Sequence, residues 1–265
     1  MTCKRIRQTF QLIVIAFEME MKQNLMDAFI IFGILVQPMI IAFLALWMLK
    51  GRGSDYAIFV AVGSAMTGLW TTLLFNSGNS ITGERWTGTL ENLVGAPVPM
   101  RIVIFGKNLA DVTQSLLSVL VCYTLISLIL GYALTVAQPL LFAISLVLTV
   151  FSFVSFGLIM STIFILNPDI QRFQNGLEFP VYILAGFLFP IAILPNWTTP
   201  ISYLLTPYWA AVALHGSTSG YIPIDQILLS WLMMILFSVF YLVISESLFK
   251  KVLFKARQDA TLSMQ

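Results

Sequence analysis

The sequence predicts an all-α, polytopic membrane protein with six transmembrane helices, and three observations predict it. Hydrophobic residues make up 58% of the 265 and charged residues only 10%, where a soluble domain carries about 25% charged. Such a chain cannot cover its apolar surface with polar groups, so lipid must be its solvent. Six apolar stretches each reach the roughly 20 residues needed to cross a hydrocarbon core ~30 Å thick. Finally, 12 of the 14 Lys and Arg residues fall in segments that six spans place on one face of the membrane.

The chain divides into an interfacial segment (1–27), a transmembrane domain (28–249) and a basic tail (250–265). In the first, Ile6, Phe10, Ile13, Phe17 and Met21 recur at helical spacing, with Arg7, Gln8, Gln11, Glu18 and Lys22 mostly opposite. That pattern predicts an amphipathic helix lying in the membrane interface. The six spans are 28–49, kinked by Pro38, then 56–81, 102–130, 139–166, 173–194 and 224–249. In lipid every backbone polar group must be paired within the segment, so these runs are helices. They are apolar on both parities, unlike the alternating strands of a membrane barrel.

Lys and Arg concentrate in cytoplasmic segments. The N-terminal segment, the 2–3 and 4–5 connections and the tail hold all of them except Lys50 and Arg52. Both termini are therefore expected in the cytoplasm. Lys4-Arg5-Ile6-Arg7 is not the start of a cleaved signal, because Glu18-Met19-Glu20 follows the short apolar run where a small-residue cleavage site would stand.

Little reaction chemistry is available. Two cysteines, far apart, and a single histidine offer neither a disulfide framework nor a metal site. There is no phosphate-binding loop. Ion-coupled transport needs ionisable groups within the membrane, and the span centres are nearly free of them. Asp111 stands one turn from Lys107 near the start of span three, Glu178 one turn into span five, and Glu246 near the end of span six. Each reads first as a residue pairing near a membrane face, and Glu178, between Leu177 and Phe179, stands out.

Small residues four apart in span two, Ala61 with Ala65 and Ser64 with Gly68, permit close helix approach in lipid. Between spans five and six the chain is too apolar for a solvent loop and too rich in proline for one straight helix. Phe187, Phe189, Pro195, Trp197, Pro207, Tyr208 and Trp209 lie in or beside this stretch. It predicts short helices re-entering the outer leaflet, shielded by protein. Its aromatic residues read as an interfacial belt or as an exit lining.

The densest polar motif is the loop between spans two and three, Gly83-Glu84-Arg85-Trp86-Thr87-Gly88-Thr89-Leu90-Glu91 followed by Pro97 and Pro99. Thr87 or Thr89 can cap a short helix there, with Glu91 near its positive end. This loop resembles the conserved cytoplasmic segment of type-2 ATP-binding-cassette (ABC) exporter permeases. Glu84, Arg85, Gly88, Thr89, Leu90, Glu91 and Pro97 match its pattern, while Trp86 stands where an acidic residue is common. The interfacial helix, the six spans and the proline-rich outer connection are similar to the family's layout too.

The resemblance implies a permease subunit of the bacterial cytoplasmic membrane, a homodimer or a heterodimer with a sister subunit. It would work with two copies of a separate ATPase that bind ATP and Mg, with no cofactor or enzyme activity in this chain and no nucleic-acid partner. The 84–97 segment, Thr87 included, would be a coupling helix seated on the ATPase. The resemblance also points to spans two and five as the pathway or dimer interface, with Ala61, Ser64, Ala65, Gly68, Phe173, Leu177, Glu178, Phe187 and Phe189 as its residues. An amphipathic cargo (drug, peptide or lipid-like) is expected, with a lipid-linked glycan as the alternative. An ion-coupled transporter and a membrane anchor or sensor are the readings from other classes.

Overall fold

Apolar runs that cannot be solvated fold here into helices packed side by side. The computed structural model describes residues 3–48, 54–77, 82–84, 88, 99–130, 136–166 and 173–259, and among these there is no strand. The helices are α1 (Cys3–Met26), α2 (Ala28–Ile31), α3 (Gln37–Met48), α4 (Ser54–Thr72), α5 (Met100–Leu130), α6 (Pro139–Leu166), α7 (Gln174–Leu184), α8 (Thr199–Leu204), α9 (Thr206–Ser219) and α10 (Ile224–Asp259). By length and composition, Pro139–Phe164 and Ile224–Lys251 can each cross a bilayer, as can Ala57–Glu84, of which residues 78–81 lie outside the described ones. Helix α5, at 31 residues, is about 46 Å long at 1.5 Å per residue.

Helix α4 is the centre of the bundle. Nearly every residue from Ala57 to Leu74 is buried, as expected of a helix apolar on all sides. Val62, Met66, Leu69 and Leu73 pack with Phe153 of α6, Ala210 and Leu214 of α9 and Met234 of α10. Helix α10 lies at the edge, and Leu232, Leu236, Val239 and Val243 are exposed along it. In water that surface would be a liability; in a bilayer it is the lipid face.

Two wide π turns interrupt the first two apolar runs, Phe32–Val36 between α2 and α3 and Leu73–Ser77 after α4. Pro38 explains the first. It lacks an N–H, and its ring collides with the carbonyl one turn back, so the helix widens ahead of it.

Helix α1 covers Cys3–Met26, and the face that packs is not the apolar one. Ala16, Glu20 and Asn24, four apart, are the buried residues of α1 and lie against α5. Phe10 is exposed, while Ile13, Phe17 and Met21 are half-buried. The polar groups of α5 draw Glu20 and Asn24 inward, and much of the apolar side is left outward.

Span five departs most from expectation. Its helix does not continue to Leu194 but stops at Leu184 after 11 residues, about 16 Å at 1.5 Å per residue. Gly186 takes φ +70°, a left-handed conformation that favours glycine. Its N–H donates to Ile183 O at 3.2 Å, and the Phe187 N–H donates to Tyr182 O at 3.3 Å. These are the paired bonds of a Schellman terminus. Two 3₁₀ turns, Ile191–Ile193 and Asn196–Thr198, lead into the short helices α8 and α9. Pro207 stands at the start of α9, where a missing N–H costs nothing.

Candidate functional site

Lys107 sits on the face of α5 turned towards α1, beside Gly106. A Cβ at Gly106 would lie 2.8 Å from Ile13 O, so glycine is what lets the two helices meet. In the contact that results, the Lys107 ammonium lies 2.9 Å from Glu20 Oε2 and 2.6 Å from Glu84 Oε1. One turn further along α5, fully buried Asp111 accepts a hydrogen bond from Asn24 Nδ2 at 2.7 Å and one from Ser77 Oγ at 3.0 Å. Polar groups out of water persist only with partners: Lys107 is paired with two carboxylates, and Asp111 accepts from two neutral donors. The knot ties four segments together: α1, the π turn after α4, the helical turn at 82–84, and α5.

A second polar centre joins three apolar runs. Glu178 Oε1 accepts from Thr71 Oγ1 at 2.7 Å, from Tyr182 Oη at 2.7 Å and from Gln37 Nε2 at 3.3 Å. Gln174, one turn before Glu178, donates to Leu74 O at 2.9 Å, a carbonyl inside the second π turn. Residues 174, 178 and 182 form one stripe of α7, so this stripe holds both π turns. Helix α4 supplies Thr71 where its α-helical turns end, and α3 supplies Gln37 where its own begin.

The other expected pathway or interface residues separate into two groups. Ala61, Ser64, Ala65 and Gly68 are buried inside the chain's own bundle, where α4 meets its neighbours. Phe187 is fully buried, and its carbonyl accepts from His215 Nε2 at 3.1 Å. A Cβ at Gly63 would lie 1.9 Å from that same oxygen, so α4 reaches the turn after α7 only through glycine. Phe173 and Leu177, in contrast, are exposed, with Phe173 at 68%, and Phe189 is half-buried.

In the outer connection Pro195 and Trp197 are exposed and Pro207 is buried. Tyr208 and Trp209 are half-buried and cluster with Tyr203, ring centroids 5.1 to 5.7 Å apart. Trp209 Nε1 donates to Tyr203 O at 3.0 Å.

Of the coupling segment, Glu84 and Gly88 are described. Glu84 enters the Lys107 knot, and Gly88 forms a turn with φ +72°. Arg85, Thr87, Thr89, Leu90, Glu91 and Pro97 lie outside the described residues. Sequence reasoning missed Glu20, Asn24 and Ser77 as partners of this site. A partial signal existed: Lys107 and Asp111 stand four apart as a polar stripe on a mostly apolar helix, and Glu20 with Asn24 has the same spacing on α1. No cluster of metal-ligating side chains occurs among the described residues. The arrangement links α1, the second π turn, the turn at 82–84 and α5 through buried ion pairs and hydrogen bonds.

Comparison with known proteins identifies the family. The ABC-2 type transporter family matches residues 11–218. The chain is 28% identical over 153 residues to the inner membrane transport permease YadH of Escherichia coli K12, and equally to its counterparts in Escherichia coli O157:H7 and Shigella flexneri. That alignment covers 58% of this chain and 59% of each relative.

Proposed function

This chain belongs to the ABC-2 type transporter family, and from that premise we propose that it is the permease subunit of an exporter of the inner membrane. Six spans place both termini in the cytoplasm, with the coupling segment beside them. The chain works as a pair, with itself or with a sister subunit. Two copies of an ATPase bind and hydrolyse ATP, and the permease moves an amphipathic cargo outward.

The observation that carries this reading is the Lys107 knot. An ATPase closing beneath the membrane displaces the 84–97 segment that it grips. Glu84 hands that displacement to Lys107 on α5, and Lys107 hands it to Glu20 on α1. Ser77, bonded to Asp111, brings the end of the second span into the same movement. From there the Glu178 centre links the second span to the first and fifth. The linkage supports a division of labour in which energy enters at the cytoplasmic end and the pathway responds.

Co-purification from native membranes tests the proposal, comparing wild type with Glu84→Ala/Glu91→Ala. An ABC ATPase should accompany the wild-type protein, and the double variant should lose that partner or its stimulated ATP hydrolysis. If no ATPase associates with wild type in native lipid, the exporter reading fails and ion-gradient-driven transport becomes the case to test.

A further inference from the structure

A cavity of about 680 Å³ lies at the end of the bundle opposite the Lys107 knot. Its wall includes Phe59, and Ser77 of the knot stands eighteen residues further along the same helical run, roughly 27 Å away at 1.5 Å per residue. Five segments surround it: the start of α4 at Phe59, the turn at Gly186, the 3₁₀ turn at Ile191, α9 at Val212 and His215, and the start of α10 at Gln226. Small-molecule sites are concave, mostly apolar, about 300–1,000 Å³ in volume, and carry a few placed polar groups. This cavity has each of those properties.

The polar groups of the lining define what it can take. Among the described residues no Asp, Glu, Lys or Arg lines it, so a charged ligand would lose its hydration without a partner there. The hydroxyls of Thr218 and Ser219 spend their hydrogens on α9 carbonyls, at Leu214 O and His215 O. His215 Nε2 faces the Phe187 carbonyl, which can only accept, so Nε2 carries the hydrogen. In the neutral ring Nδ1 is then an acceptor, and it is buried without a partner among the described residues. The ring itself is held still, stacked on Phe59 at 3.8 Å between centroids. Tyr208, Tyr221 and Gln226 complete the polar lining, so the wall offers a few hydrogen-bonding groups and no charge among the described residues.

The geometry points to a binding site for an uncharged, largely apolar molecule. Such a molecule comes either from the bilayer, as a neutral lipid, or from the cargo that the proposed exporter moves. The inference rests on the permease reading for its biological meaning. Its test needs neither ATP nor an ATPase, so either can fail while the other stands.

The test uses the full chain in lipid nanodiscs, with Val212→Cys placed in a Cys3→Ala/Cys122→Ser background. The probe is N-phenyl-1-naphthylamine, which is uncharged and largely apolar. It should slow the labelling of Cys at 212 by a neutral maleimide at least fivefold, and saturably. Ile235→Cys, on the exposed side of α10, should not be protected and controls for probe dissolved in lipid. Native mass spectrometry then separates the two sources. A retained neutral lipid displaced by the probe identifies the bilayer, and an empty site with intact probe protection identifies cargo; both support the site. Equal slowing at 212 and 235, or no slowing at 212, overturns it. So does a 212 position that never reacts, since protein would then fill the space.

Discussion

Lys107 and Arg101 stand on the same helix, less than two turns apart, and they live in different media. Lys107 is nearly buried and faces two carboxylates, Glu20 and Glu84. Arg101 meets Glu246 of α10 at 3.1 Å with both side chains about half exposed, 51% and 50%. By sequence they are equivalent, two cations near the start of one span. The difference shows that a cation near a membrane face can orient a helix or lock several helices, and that burial decides which. In water an ion pair gains little beyond its own hydration, whereas out of water it cannot be taken apart cheaply.

The largest effect should follow from breaking the buried member. Lys107→Met keeps the length and apolar stem of the side chain and removes the charge. Glu20, Glu84 and Asp111 then face one another without a cation. Removing one partner of a buried pair costs about 3–5 kcal/mol, which should appear as a large drop in melting temperature in nanodiscs. Adding Glu20→Gln and Glu84→Gln to the same variant should recover most of that drop. A triple variant as unstable as Lys107→Met would show that packing of the lysine stem, and not charge, is what matters.

The legible parts of this fold are those that depend on local composition. Runs such as 139–166, which has no charged residue, and 227–244 are long and overwhelmingly apolar, and a backbone in lipid has no alternative to a helix. Glu178 was visible for the same reason, as a carboxylate with apolar neighbours on both sides. The end of span five was not, because Ala185-Gly186-Phe187 reads as apolar as the helix before it. Hydropathy does not register that Gly186 turns left-handed. The Lys107 knot was hidden by distance along the chain. Asn24 and Asp111 are 87 residues apart and Lys107 and Glu84 are 23 apart, and nothing local announces such a meeting. Asp111 was expected to pair near the membrane face, with Lys107 one turn away. It instead accepts from Asn24 and Ser77, while Lys107 turns to two glutamates.

That exchange of partners defines the intermediate prediction. Asp111→Leu leaves the Asn24 amide and the Ser77 hydroxyl buried with nothing to donate to. An orphaned buried donor costs about 1–3 kcal/mol, so the loss should be clear and smaller than that of Lys107→Met. Asp111→Asn retains one carbonyl oxygen and should fall between Asp111→Leu and wild type. Equal melting temperatures for Asp111→Leu and Lys107→Met would mean that the carboxylate and the ammonium act as one unit, despite having separate partners.

The smallest effect should come from Arg101→Ala. The guanidinium and Glu246 are each about half in contact with solvent, and Lys250 stands 3.8 Å from the same carboxylate oxygen. Loss of the arginine therefore leaves Glu246 with a second cation one turn along its own helix. Exposed pairs contribute about 0.2–1 kcal/mol, and the screening length shrinks to ~3 Å at about 1 M salt, comparable with this pair's separation. Arg101→Ala should thus lower the melting temperature slightly at low salt and negligibly at high salt, whereas the Lys107→Met deficit should persist in both. A drop for Arg101→Ala that matched Lys107→Met and ignored salt would erase the contrast between the two cations. It would place the contact between α5 and α10 beside the knot as a structural lock.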